Sequence, residues 1–446
     1  MAESTPGSIE PGPQDPAVPG APPVEPRDAV PPPVTARPPV VPTKHNMTAV
    51  LQIRAFRYLL INSFAFMLVQ SSIRFAFIWL VLTDLGGKES ETGIVAFALG
   101  IPVLFLSLPA GVLSDRVDRR ALLIWSQVSA AALTAVLTVL MMANLMTLPL
   151  AYLLAVALGA TTALGQPVRQ AVVAQVVPRE RLQNAVAFMT MSMNISFIIG
   201  PAVGGVLIRA LGLTSAFAAQ AAVYAVALLT LIPLRLPAVT RTIHQHPLRD
   251  LRDGLTFIAR HRGILSLIVL LMGSGLLMIG PFQVLLPIIA KDKLGRDAFG
   301  ASMFFVALGI GMFITSFVLA SVKDIRNKGG WFTFNMVFGG LILALVGFSS
   351  SYALTMGLMF IWGIGGGVFM NLNQTLIQGN TPQELMGRVM AVHTLSFMGV
   401  GPLGSLVAGA AAGALGASTW MVISGAGIAV MALVALATTP TLRKMS

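Results

Sequence analysis

The sequence predicts an all-α integral membrane protein of twelve transmembrane helices, arranged as two six-helix halves that repeat one another. Three observations carry that expectation. Hydrophobic residues make up 55% of the 446 and charged residues only 10%, with a mean hydropathy of +0.81, too apolar for a soluble chain of this length. The apolar residues fall in long runs near the roughly 20 residues that cross a bilayer core as a helix. Four landmarks of the first half recur in the same order in the second. Cysteine is absent, which excludes a disulfide framework, thiolate chemistry and cysteine metal sites. The net charge of +12 would suit nucleic acid, but the cations are scattered over short connectors and form no continuous basic face, so no nucleic-acid partner is expected.

Residues 1–46 hold 14 of the 28 prolines, including Pro31-Pro32-Pro33, and few large apolar side chains. Such a segment cannot bury a core, so a disordered cytoplasmic tail with polyproline II character is expected. It has no basic start followed by an apolar stretch and does not read as a secretory signal. The N-terminal half, 47–234, carries spans near 57–82, 92–113, 121–142, 147–168, 183–208 and 214–234. A connector at 235–262 follows, in which Leu248, Leu251, Leu255 and Ile258 keep helical spacing and Arg249, Arg252 and Arg260 take other faces. That pattern fits an amphipathic helix on the anionic inner leaflet and equally a soluble linker helix. The C-terminal half, 263–446, carries spans near 263–289, 300–322, 331–349, 352–373, 387–410 and 418–438. A β-barrel would need short alternating strands, which these continuous Leu, Ala, Gly and Met runs are not.

Lysine and arginine set the orientation, because they concentrate on the cytoplasmic side. With the N-terminus inside, 23 of the 29 fall in the stretch up to Arg57, 116–120, 169–181, 235–262, 323–328, Arg388 and the C-terminus. Five fall in outer loops (Lys88, Arg209, Lys291, Lys293 and Arg296), and Arg74 lies within span one. A multi-pass protein of the plasma (inner) membrane with both termini cytoplasmic is expected.

The most informative motif joins spans two and three: Gly111-Val112-Leu113-Ser114-Asp115-Arg116-Val117-Asp118-Arg119-Arg120. This G-x-x-x-D-R-x-x-R-R run resembles the corresponding loop of the major facilitator superfamily of secondary transporters. It recurs, weakened, as Lys323-Asp324-Ile325-Arg326-Asn327-Lys328. Val177-Pro178-Arg179-Glu180 likewise matches Thr381-Pro382-Gln383-Glu384, Arg169-Gln170 matches Asn373-Gln374, and Gly200-Pro201 matches Gly401-Pro402. The resemblance implies the major facilitator fold, with the charged turn packing against the inner end of span eleven. Gly111, Asp115, Arg116, Arg119, Arg120, Gly387 and Arg388 are then gating candidates. Within the superfamily the chain is similar to the exporters typified by the enterobactin and macrolide efflux proteins. The residues are Pro167-Val168-Arg169-Gln170-Ala171, Val177-Pro178, Leu182-Gln183-Asn184-Ala185, and Pro382 with Gly387-Arg388-Val389-Met390-Ala391. Gly200-Pro201-Ala202-Val203-Gly204-Gly205 resembles a run associated with proton-exchanging exporters, with Ser196 where a further glycine is expected. A hinge and a small-residue packing face both account for Gly200, Pro201, Gly204, Gly205, Gly401 and Pro402.

Ionisable groups inside spans are functional candidates, since each costs about 2.5–3.5 kcal/mol at a helix centre on insertion scales. No carboxylate falls inside a span as drawn; Arg74 and His393 do. Ser63, Met67, Gln70 and Arg74 keep i, i+4, i+7, i+11 spacing and form a stripe expected to face a central pathway. Asn194, Gln283 and Asn373 add neutral donors and acceptors, with helix-to-helix hydrogen bonding the competing role. By family resemblance an exporter would carry an acid in span one or four and an arginine in the middle of span four, and neither is expected here. His393 is left as the in-span candidate for proton coupling.

The sequence has no phosphate-binding glycine loop, metal-ligand spacing or nucleophile–base pair, so neither an enzyme nor a cofactor or metal site is expected. The reading is a monomeric secondary transporter in the lipid bilayer. It exports a hydrophobic or amphipathic small-molecule substrate by alternating access, with the proton as candidate coupling ion. A lipid or lysolipid translocator on the same fold is the nearest alternative. A non-transporting membrane sensor or scaffold, recruiting a partner through the proline-rich tail, is the alternative from another class.

Overall fold

The computed structural model of the chain describes residues 47–234, 236, 247–321, 327–439 and 442. The proline-rich tail, the first part of the connector and Lys323-Asp324-Ile325-Arg326 lie outside the described residues. So do the side chains of Gly111, Asp115 and Arg116 within their helix.

Among the described residues the chain is helical, without strands, and twelve helical segments are long and apolar enough to cross a membrane. A short 3-10 helix, Met47–Gln52, leads into α1 (Arg54–Thr83), followed by α2 (Glu89–Arg116), α3 (Arg119–Met142), α4 (Leu148–Val176), α5 (Leu182–Leu211) and α6 (Leu213–Leu228). The connector helix α7 (Pro247–Arg260) precedes span seven, which is built of α8 (Arg262–Ser274) and α9 (Gly280–Ile288). The remaining spans are α10 (Ala298–Ser321), α11 (Lys328–Phe348), α12 (Tyr352–Gly379), α13 (Met386–Leu415) and α14 (Ala417–Thr438). In span seven, Pro281 and Pro287 each lack a backbone donor, and wider π turns at Gly275–Ile279 and Ile289–Lys293 flank them. Such local adjustments let membrane helices accommodate proline.

Several helices run past their expected ends. Span two continues to Arg116, so the charged loop shrinks to Val117 and Asp118, and Asp118 caps α3 by accepting from the Arg120 backbone N–H at 2.9 Å. Span four continues to Val176 rather than ending at Val168. The repeat also reaches further than the four sequence landmarks. Gly212, at φ 81°, is the only residue between α5 and α6, and Gly416, at φ 87°, is the only residue between α13 and α14. Glycine alone enters that left-handed region without strain.

The halves meet along two antiparallel helix pairs. On α2 and α13, Gly93 faces Gly409, Gly100 faces Pro402 and Leu104 faces Gly399. On α5 and α10, Gly205 faces Ser302 and Ile198 faces Gly309. Small residues let backbones approach where side chains would hold them apart. A hydrophobic cluster joins the halves at the end where these pairs are tightest, bringing Phe75, Trp79 and Ala96 against Phe282, Phe304 and Trp362. Towards the other end each half closes its own core, one around Phe56 and Val172, the other around Leu267 and Leu376. This second end carries Met47, the Val117–Asp118 turn, Pro178 and α7, and is called the basic end below. The contact stripes continue towards it at helical spacing through Asn194 and Met191 on α5 and Thr394 and Ala391 on α13, all exposed. The bundle is closed at one end and parted at the basic end.

Candidate functional site

Helix α1 sits between α5 and α6, and this placement decides which of its polar residues reach the central space. Towards α6, Asn62 Nδ2 donates to the Ala227 carbonyl at 2.9 Å, the Tyr224 hydroxyl donates to Gln70 Oε1 at 3.0 Å, and Gln220 Nε2 donates to Ser72 Oγ at 2.7 Å. Towards α5, Ser196 Oγ donates to the Phe64 carbonyl at 3.3 Å. Gly200 lies so close that a Cβ there would stand 2.4 Å from the Cβ of Ser71. Gln70 is therefore buried within the N-terminal half, a correction to the expected pathway stripe; Ser63 is buried as well, its Oγ without a partner among the described residues. Satisfying a buried polar group against a neighbouring helix outweighs its place on a helical wheel.

The glycine runs act as packing faces. Gly200 and Gly204 receive α1, while a Cβ on Gly205 would meet Ser302 Oγ of α10 at 2.2 Å. In the other half, Gly404 receives span seven, with a Cβ falling 2.5 Å from the Gly275 carbonyl, and Pro402 presses on Gly100 of α2. Gly401 is looser, its added Cβ meeting Ile279 at 3.9 Å. Each run thus fixes one helix of its own half and lies beside one from the other.

Arg74 and Gln283 come together from opposite halves. They line a small cavity of about 20 Å³ with Ser71, Phe75 and Ile78 of α1, Phe197 and Pro201 of α5, and Phe305 of α10. Neither Arg74 nor Gln283 has a hydrogen-bond or ion-pair partner among the described residues, and no acidic residue lines the space. A run of rings crosses between the halves beside it: Trp79 on Phe75, Phe75 edge-on to Phe305 at 5.9 Å, Phe305 on Phe282 at 4.9 Å, and Phe282 on Trp362 at 4.9 Å. Beyond the rings, Lys291 Nζ donates to the Leu82 carbonyl at the end of α1, and Arg209 lies 4.8 Å over Phe299. This aromatic closure escaped the sequence because its members come from four distant helices. Met67 is half-buried and Asn194 is exposed on the contact stripe of α5 towards the basic end.

Among the described side chains, the gating candidates Arg388 and Arg120 each have a partner within their own part of the bundle. Arg388 Nη1 pairs with Asp253 Oδ2 of α7 at 2.9 Å, and a Cβ on Gly254 would stand 2.9 Å from the Arg388 carbonyl. Ile258 of α7 is buried in the C-terminal core. The connector helix docks on the start of α13. Arg120 Nη2 donates to the Ile232 carbonyl at the end of span six at 2.8 Å, within the N-terminal half.

Sequence reasoning assigned Arg169 to a connector and found no arginine in span four; the structure corrects both. Arg169 lies inside α4, 1% exposed, with its guanidinium carbon 3.8 Å from the centre of the Phe66 ring. Nη2 donates to Gln127 Oε1 at 3.3 Å, and Nε and Nη1 have no partner among the described residues. The continuation of apolar positions Val168, Val172, Val173 and Val176 at helical spacing was the available signal. Its repeat counterpart Asn373 is equally buried, and Asn373 Oδ1 meets His393 Nε2 at 2.7 Å, joining two sequence-selected residues.

Comparison with known proteins agrees with this architecture. The profile described as "Major Facilitator Superfamily" matches residues 59–405. Macrolide efflux protein A of Streptococcus pyogenes is 24% identical over 376 residues, covering 82% of this chain and 92% of that protein. The multidrug efflux pump Tap of Mycolicibacterium fortuitum is 27% identical over 352 residues, covering 76% and 85%. The crystal structure of the nucleoside transporter NupG superposes with a TM-score of 0.69 at 16% identity, over 86% of this chain and 99% of that one.

Proposed function

The chain belongs to the Major Facilitator Superfamily, and from that premise we propose that it exports a hydrophobic or amphipathic small molecule across the plasma membrane by alternating access. It is a multi-pass transport protein, not an enzyme. The observation that carries the reading is the cavity at Arg74 and Gln283. It is built by both halves, lies beside the aromatic closure at one end, and belongs to a bundle parted at the other. Rocking one half against the other about such a site exposes it to the two sides in turn. The excess of Lys and Arg on the parted end makes that end cytoplasmic, so this state is the one that loads from inside. Efflux is supported by relatives named as efflux proteins.

A proton is the candidate coupling ion, and His393 is its carrier. It bonds Asn373 across two helices, so a change in its protonation alters a contact between α12 and α13. Two-position contacts of this kind are what a switch requires. The test of export is accumulation of fluorescent amphiphiles in cells with and without the protein, paired with thiol labelling of Thr394→Cys. Labelling from the cytoplasmic face that slows during turnover supports alternating access. Unchanged amphiphile accumulation together with labelling that ignores substrate would reject it.

A further inference from the structure

We propose that the Arg74–Gln283 cavity selects cargo bearing an anionic group, carboxylate or sulfonate in kind, attached to a flat apolar body. The inference rests on the exporter reading and names the substrate class of that same site.

The argument begins with an unbalanced charge. Arg74 stands nine residues inside the closed end of α1, about 14 Å along the axis at 1.5 Å per residue. It is too deep for its head to be explained by the outer interface alone, and the rings of Phe75 and Phe305 lie beside it. Arginine stays charged under all ordinary conditions. A guanidinium held away from bulk water needs a counter-charge or a full set of acceptors. The protein supplies neither: Ser71 and Gln283 are the polar neighbours in the lining, and the rest is Phe75, Ile78, Phe197, Pro201 and Phe305. An incoming anion supplies it, in charge-assisted hydrogen bonds that a neutral ligand cannot match.

Gln283 gives the site its second half. Arg74 belongs to the N-terminal half and Gln283 to the C-terminal half, so one anionic group reaching both is held by both rocking bodies. An occluded state with a bare guanidinium is costly, whereas one with a neutralised guanidinium is not. The anion thereby favours closure of the loaded carrier over the empty one. The cavity as it stands has room for little more than the anionic head, and Phe197, 40% exposed at its edge, offers the apolar face for an attached ring.

Three probes that share a naphthalene body test this with the full-length protein: 2-naphthoate, its neutral methyl ester, and cationic 2-naphthylmethylamine. Binding is measured calorimetrically in detergent and transport in proteoliposomes. The expected result is at least tenfold tighter binding of the naphthoate than of the ester or the amine. Arg74→Gln should bring that ratio to about one by loss of naphthoate affinity alone, and Arg74→Lys should restore part of it. If Arg74→Gln fails to fold, Gln283→Leu is expected to weaken naphthoate several-fold and leave the ester unchanged. Absence of a naphthoate preference in the wild type, whether neither probe binds or both bind equally, overturns the inference. So does a preference that survives Arg74→Gln, or one that Gln283→Leu leaves intact. Transport of the ester or amine without a naphthoate preference would leave the exporter reading standing and remove only this one. Arg74-dependent naphthoate binding with no transport of any probe would do the reverse.

Discussion

Gly409→Ala should loosen the closed end of the bundle. A Cβ on Gly409 would stand 2.5 Å from the Gly93 Cα, 2.8 Å from the Gly93 nitrogen and 2.8 Å from the Glu89 carbonyl. All three are backbone atoms, so no rotamer change relieves the clash. Opening 2.5 Å to the 3.4 Å of an ordinary contact moves α2 and α13 about 0.9 Å apart. Overpacking of this kind costs about 1–3 kcal/mol. The penalty falls on the state in which the two helices touch here, which shifts the balance against it by roughly five- to a hundredfold at 1.4 kcal/mol per tenfold. Ala96 of α2 is a suitable reporter, fully buried in the cluster that joins the halves. The native chain has no cysteine, so Ala96→Cys is the only thiol. Reaction with a membrane-impermeant maleimide from the non-basic side should speed up about tenfold or more when Gly409→Ala is added. A rate within twofold of the parent, in a protein that folds, would refute the reasoning that this contact holds the end shut.

Gly254→Leu should undock the connector helix, because its side chain would drive into the Arg388 backbone, and protease cleavage around 247–260 should accelerate strongly. Asp253→Asn should do far less, since the pair it breaks is partly exposed and such pairs are worth about 0–1 kcal/mol; equal effects of the two would contradict the docking geometry. Arg169→Met removes a buried cation that no acid compensates among the described residues, and replacing buried charge with an apolar side chain of similar volume is often neutral or stabilising. Its midpoint of thermal unfolding should hold or rise, and a fall of several degrees would mean that the cation contributes more than its visible partners account for. His393→Gln retains a donor for Asn373 and should keep downhill exchange while losing accumulation driven by a pH gradient in proteoliposomes. His393→Ala strands a buried amide and should cost about 1–3 kcal/mol of stability as well. Full pH-driven accumulation in His393→Gln would remove this histidine as the carrier.

The sequence determined the spans, their number and their pairing into halves, because the bilayer imposes those terms on each segment separately. A helix that crosses hydrocarbon must be long, apolar and internally hydrogen-bonded whatever its neighbours are. Duplicated landmarks such as Gly200-Pro201 and Gly401-Pro402 are likewise visible one residue at a time. Helix ends were less legible. Arg169 was read as the boundary of span four because a charge usually marks one, and only the Phe66 ring and Gln127 from other helices let the span continue past it.

What tertiary structure alone decided is which face of a helix meets which neighbour. Ser63, Met67, Gln70 and Arg74 occupy about 60° of the circumference of α1 at 3.6 residues per turn, and the edge of the cavity runs through that stripe. Gln70 falls to the Tyr224 side and Arg74 to the Gln283 side. A helical wheel has no information on that edge, since it is set by where α5 and α6 lie. The same holds for the aromatic closure and for Arg388, whose acid partner is Asp253 of α7, 135 residues away in sequence. Such pairings depend on the separation of the two halves at the moment described, a property of the assembled bundle and of no single segment.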